Sequence, residues 1–155
     1  MKPTPPGWPR ISSALFYNDP GTAIDWLVAA FGFVVRMRIE GQDGRIEHSE
    51  LEFGDGLIMV GGVGPAYHDP ERPWRNLAAS PRELGGRTTQ NLALHVDDVD
   101  AHCAHARGAG AQIVYEPKTT DYGADYWADR SYAAVDPEGH LWWFMQRMRT
   151  GSPHG

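Results

Sequence analysis

His48, Glu50 and Glu52 alternate along one short run, so on a β-strand their side chains would share one face. An imidazole beside two carboxylates can serve as an acid/base pair or as ligands of a displaced metal site. The plainer reading is a half-exposed sheet edge with solvated charges. His95 stands at the same spacing from Ala93 and Asn91, while Leu92, Leu94 and Val96 face the other way. It is expected to meet a ligand as donor or general base, or to be a structural hydrogen-bonding histidine. His102, Cys103 and His105 invite a zinc reading. Yet Cys103 falls on an apolar helical stripe that the two histidines flank, so a solvated face over a buried thiol is the better expectation. His140 opens the last strand without a partner at ligand spacing. The chain has no Gly-x-Ser-x-Gly elbow, no Gly-x-Gly-x-x-Gly motif and no phosphate-binding loop.

Aromatic residues offer a second kind of chemistry. Six Trp, six Tyr and five Phe are many for 155 residues, and several sit in polar or Gly-rich surroundings. Such residues line pockets or oligomer interfaces, because they join a large contact area to a polar handle. Tyr122, Tyr126 and Trp127 precede Asp129, Arg130 and Tyr132, and a last strand carries Trp142 and Trp143. Helped by the acidic Asp121, Asp125 and Glu52, these rings would suit a planar organic ligand, cationic ones included, if the fold gathers them. Packing of the core or of a dimer interface weighs equally.

The elements that must position these residues are legible in outline. Ile11 to Tyr17 reads as a strand, and Asn18 or Asp19 caps a helix with Pro20 in its first turn. Ile24, Leu27, Val28 and Phe31 form the helical stripe, flanked by Trp26, and Gly32 ends it. Phe33 to Glu40 and Arg45 to Phe53 pair through the Asp43-Gly44 turn, and Leu57 to Val60 follows. Gly61 to Thr89 reads as loops, with one short helical turn near Leu77; its length favours a lid or crossover. Asn91 to Val96 then starts a second series: a helix capped at Asp97-Asp98 with Val99, Cys103, Ala106 and Ala109 inward, and a strand from Ala111 to Tyr115. A long loop from Glu116 to Ala128, strand Ser131 to Val135, a turn at Asp136 to Gly139 and strand His140 to Gln146 complete it.

The two series match. Ala14-Leu15 with Asn18-Asp19 corresponds to Ala93-Leu94 with Asp97-Asp98, and Asp55-Gly56 to Glu138-Gly139. Two copies of one βαβββ unit, each too small to bury its sheet alone, predict an α+β fold. We expect one domain over 1–155, made of module 10–61, linker 62–89 and module 90–147. Its mixed sheets would form a concave cup, with helices on the outer faces.

Composition bounds the function. The formal net charge is −6 with no basic block, which argues against a nucleic-acid partner. No apolar run nears the roughly 20 residues of a membrane span, and the Pro-rich start lacks a signal-peptide core. The single cysteine excludes an intramolecular disulfide. The expectation is a cytoplasmic globular protein without membrane or nucleic-acid partners.

Three segments carry a family resemblance: Ile46 to Met59, Val96 to Ala101, and Asp136-Pro137-Glu138-Gly139-His140-Leu141-Trp142. In this order and spacing the chain resembles the vicinal oxygen chelate superfamily, which includes glyoxalase I, bleomycin-resistance proteins and extradiol dioxygenases. It looks most like the PhnB-like, glyoxalase-like branch. The resemblance implies a homodimer and a cup whose enzymes hold a divalent ion through one side chain on the first and last strand of each half. Carried over, those positions fall near Ser12, Val60, Asn91 and Trp143, none of them His, Asp or Glu. The usual metal site is therefore expected to be absent, and Trp143 would present a flat apolar wall in its place. In the family the aromatic loop overhangs the cup, and Trp74 could close over it.

The leading expectation is a cofactor-free protein that binds a small molecule, with Phe16, His48, Glu50, Glu52, Trp74, Asn91, His95, Tyr122, Tyr126, Trp127, Arg130 and Trp143 around the ligand. A metal-dependent lyase, isomerase or dioxygenase acting on vicinal oxygens with Zn, Ni, Fe or Mn is the alternative. A metal-free lyase or isomerase using His48 or His95 as base is a third reading.

Overall fold

A computed structural model describes residues 1–151 of the chain. Asp19, not Asn18, caps the first helix, α1 (Pro20–Phe31): its carboxylate accepts from the Thr22 N–H at 3.1 Å, with Pro20 at the first position. The Thr22 hydroxyl and N–H together hold the Asp19 carboxyl below the usual carboxylate range. Gly32 closes α1 in the left-handed conformation, at φ 82°, where a side chain would be strained. In the second half Asp98 caps α2 (Val99–Gly108) through the Ala101 N–H.

The chain divides into two compact units, Met1–Gly85 and Gly86–Gly155. In the first, β1 (Ser13–Tyr17), β2 (Val34–Glu40), β3 (Ile46–Phe53) and β4 (Gly56–Gly62) form a sheet ordered β1-β4-β3-β2. In the second, β5 (Leu92–His95), β6 (Gln112–Asp121), β7 (Ala128–Val135) and β8 (Leu141–Arg149) repeat it as β5-β8-β7-β6. The first strand of each sheet runs parallel to the last, and the other pairs are antiparallel. The fold is α+β, two four-stranded mixed sheets each with one helix, as the duplicated pattern predicts. Among the described residues no helix is long and apolar enough to cross a membrane.

Each helix covers one face of its own sheet. Ala23, Ile24, Leu27, Ala30 and Phe31 of α1 are buried with Leu15, Tyr17, Leu51 and Val60. Val28 falls off the predicted stripe and is 38% exposed, because the buried arc follows the alanines instead. On α2, Val99, Cys103 and Ala106 are buried. Tyr132 and Phe144 stack beneath, centroids 5.0 Å apart. His102 departs from the expected solvated face: its Nδ1 shares a 2.6 Å hydrogen bond with the Tyr132 hydroxyl, and its ring lies 4.4 Å from Phe144. Burial pushes the Cys103 thiol up, consistent with an inert core cysteine.

Two further departures have local causes. The expected loop from Glu116 is mostly strand, since β6 runs on to Asp121 and β7 begins at Ala128. Pro117 is tolerated because β6 is an edge strand with a register shift between Tyr115 and Lys118. The segment after β4 carries three 3₁₀ turns, Pro65–Tyr67, Pro73–Leu77 and Pro81–Leu84, each started by a proline.

Candidate functional site

On each sheet the strand candidates other than Arg130 lie on the face turned away from the helix. In the first unit Ala14 pairs with Met59 and Phe16 with Gly61, while Leu15 pairs with the buried Val60 on the helix side. In the second, Ala93 pairs with Trp143 and His95 with Met145, while Leu94 pairs with the buried Phe144. The counterpart of Trp143 is therefore Met59. Val60, expected there, is one residue out of register, and a one-residue slip changes the face.

Gly61 and two alanines leave the aromatic side chains beside them uncrowded. A Cβ added to Gly61 would touch the Phe16 ring at 3.3 Å, so the ring lies over the glycine. Trp143 has Ala93 on one side and Ala133 on the other in the β-ladder, with the Tyr115 ring 5.4 Å away. A half-buried indole flanked by methyl groups is a flat platform.

His48, Glu50 and Glu52 do share a face, as their alternation requires. His48 Nε2 lies 3.0 Å from Glu50 Oε1, and Glu50 is only 3% exposed. Sequence reading missed their cation. Arg36, at the irregularity between Val35 and Met37, reaches Glu50 at 3.3 Å and Glu52 at 3.5 Å. The Gly7 carbonyl and the Trp8 ring, 4.9 Å away, hold the same guanidinium. Nothing in the spacing of Arg36 marks it, because a bulge alters which face a residue takes.

Trp74 meets Phe16, centroids 6.3 Å apart, and is half exposed. In the second unit Tyr122, Tyr126 and Trp127 gather in one turn: Trp127 is 5.7 Å from Tyr122 and 6.2 Å from Tyr126, with Arg147 over its ring. Arg149 holds that turn by donating to Asp121 and to the Gly123 carbonyl, and Asp121 is kept below the usual carboxylate range by the Gly123 N–H and then by Arg149. Arg130 stands elsewhere. Its Nε and Nη2 donate to Asp100 on α2, at 2.7 Å each, and its Nη1 to the Thr119 hydroxyl at 3.4 Å. Asn91 precedes β5 and is exposed.

Residues 10–144 match the family model of the Glyoxalase/Bleomycin resistance protein/Dioxygenase superfamily. The chain belongs to that superfamily. An uncharacterized protein of Mycobacterium tuberculosis is 33% identical over 141 residues, 91% of this chain and 76% of the relative. The crystal structure of TioX from Micromonospora sp. ML1 has 33% identity and a TM-score of 0.66, covering 91% of this chain and 100% of its own. TnmS3, an antibiotic binding protein from Streptomyces sp. CB03234, shares the fold at 22% identity and a TM-score of 0.60, over 88% of this chain and 93% of its own.

The metal used by enzymes of this superfamily does not fit the donor set here. Met59 and Trp143, on the last strands, offer no hard donor, and Ser12 and Asn91 offer neutral oxygens only. At the other candidate place, Arg36 already stands as the cation between Glu50 and Glu52. Among the described residues no group of three His, Cys, Asp or Glu could hold an ion.

Proposed function

We propose that this superfamily member, of the PhnB-like, glyoxalase-like branch, is a metal-independent binding protein for a planar organic molecule, akin to the superfamily's drug-sequestering relatives. The observation that carries this is Trp143, half-buried between Ala93 and Ala133, at a position where the resemblance implies a ligand to metal. Stacking and desolvation on such a face are worth most when no side chain competes for it. Tyr115 stiffens one edge of the platform. TnmS3, which shares the fold, is an antibiotic binding protein, a task of the same class. His95, on the face of Trp143, would orient the ligand.

Titration with planar aromatics in excess EDTA, followed by tryptophan quenching, tests this. Saturable quenching that is lost in Trp143→Ala supports the reading; quenching unchanged in that variant refutes it.

A second reading has its own observation. Glu50 is buried and bonded to one nitrogen of the half-exposed His48, an arrangement that fixes a tautomer and suits a general base. A metal-free lyase or isomerase would lose turnover in His48→Ala while ligand quenching stayed. We further propose a homodimer, supported by the exposed Val34, Met37 and Ile39 of edge strand β2. Light scattering at a monomer's mass would refute it.

A further inference from the structure

A pocket of about 420 Å³ lies in the segment after β4, lined by Val63, His68, Arg75, Asn76 and Glu83 among others. The turn that carries Pro65 of its lining is fixed to the sheet. The Tyr67 ring sits where any Cβ on Gly62 would be, and its hydroxyl accepts from the Ile46 N–H at 3.1 Å. That anchors the first 3₁₀ turn to the sheet.

Arg75 is the unusual member. Neighbouring arginines are paired with acids: Arg45 with Glu47, Arg72 with Glu47 and Asp69. Arg75 has no carboxylate partner among the described residues. Its faces are engaged by the rings of Trp74 and Tyr67, 5.4 and 5.6 Å from the guanidinium carbon. One donor, Nη1, reaches the Tyr67 carbonyl at 3.3 Å. Nε is buried without any acceptor, and none meets Nη2. A buried donor left unmet is destabilising. A guanidinium nitrogen with unmet donors matches a carboxylate oxygen in charge and hydrogen bonding.

We propose that this pocket binds the carboxylate of a small organic acid on the Arg75 guanidinium, through the unmet donor Nη2. Asn76 and His68 line the same space and offer further donors. Glu83, fixed by the Ser80 N–H, lines it too and disfavours a second negative charge. The site therefore selects a monoanion over a phosphate dianion. Val63, Pro65 and Ala78 give the rest of the acid an apolar surface, and Trp74, outside the lining, stacks on the Arg75 guanidinium. The pocket's residues belong to the first unit and Trp143 to the second, and neither claim needs the other.

The test uses the whole chain and the matched probes benzoate and benzamide, which share shape and differ in charge. The arginine Nε–Hε signals are followed by ¹H–¹⁵N NMR. Benzoate is expected to shift one signal saturably and to bind at least about tenfold tighter than benzamide, as a charge-assisted hydrogen bond implies. That signal should be missing in Arg75→Gln, and Arg75→Lys should keep only part of the preference for benzoate. Equal binding of both probes by the wild-type protein overturns the proposal, and so does a preference that survives Arg75→Gln. The wild-type comparison stands even if a variant fails to fold. Inorganic phosphate binding as tightly as benzoate at pH 8 would overturn the monoanion selectivity.

Discussion

His48 Nε2 lies 3.0 Å from Oε1 of Glu50, and the same buried carboxylate faces Arg36 across 3.3 Å. One acid is thus shared by an imidazole and a guanidinium. Glu50 is 3% exposed, whereas the side chains of Arg36 and His48 keep 25% and 40% of their exposure. A carboxylate so placed depends on its partners, because an uncompensated buried charge is costly.

Arg36→Ala should therefore lower stability by about 3 kcal/mol, whereas Glu50→Gln, which removes the charge itself, should cost less. Urea denaturation of the two variants checks the order. A stability for Arg36→Ala within about 0.5 kcal/mol of wild type would mean the cluster is solvated.

Gly62 has a steric role with a sharp consequence. An added Cβ would lie 2.1 Å from the Tyr67 ring, so Gly62→Ala must displace that ring and break its bond to the Ile46 N–H. The expected loss is about 3 kcal/mol, against about 1 kcal/mol for Tyr67→Phe, which keeps the ring and removes only the hydroxyl. Denaturation midpoints that place the two variants level would show that the turn yields freely.

Stability should fall on the alkaline side. Burial raises the titration of the Cys103 thiol and of the Tyr67 and Tyr132 phenols, since their anions are disfavoured inside. A raised folded value means the folded chain keeps the proton longer than the unfolded one. The contribution is therefore full below the unfolded values, about 8.5 for thiol and 10 for phenol, and is lost as pH climbs through the folded ones. Urea midpoints should be flat from about pH 7 to 8 and drop above about pH 9, and Cys103→Ala should delay the onset. A midpoint that rises with pH would contradict the assignment.

How much of this the amino acids reveal depends on the size of the signal. Helix α1 is plain because Asp19, Pro20 and Gly32 act through local backbone chemistry. The repeat was legible because it needs only order and spacing. Strand β6 was cut short because Pro117 and the polar residues after it suggest a loop, and only pairing with β7 reveals an edge strand. The run Leu57 to Val60 points to Val60 where the ladder has Met59, because a continuous apolar run does not tell its two faces apart. Arg36 and Arg75 were missed for a different reason: their partners come from distant positions, and no periodicity links them. His48 and Glu50, two residues apart on one strand, were found.

The central claim is that the indole of Trp143 is an open platform for a planar ligand. Its most direct test follows the six indole N–H signals by ¹H–¹⁵N NMR while a planar aromatic ligand is added in EDTA. The Trp143 signal should shift saturably, whereas Trp142, buried and bonded through its indole N–H to Asp136, should stay still. A bound ligand that leaves Trp143 unmoved, or that binds only once a divalent metal is restored, would contradict the account.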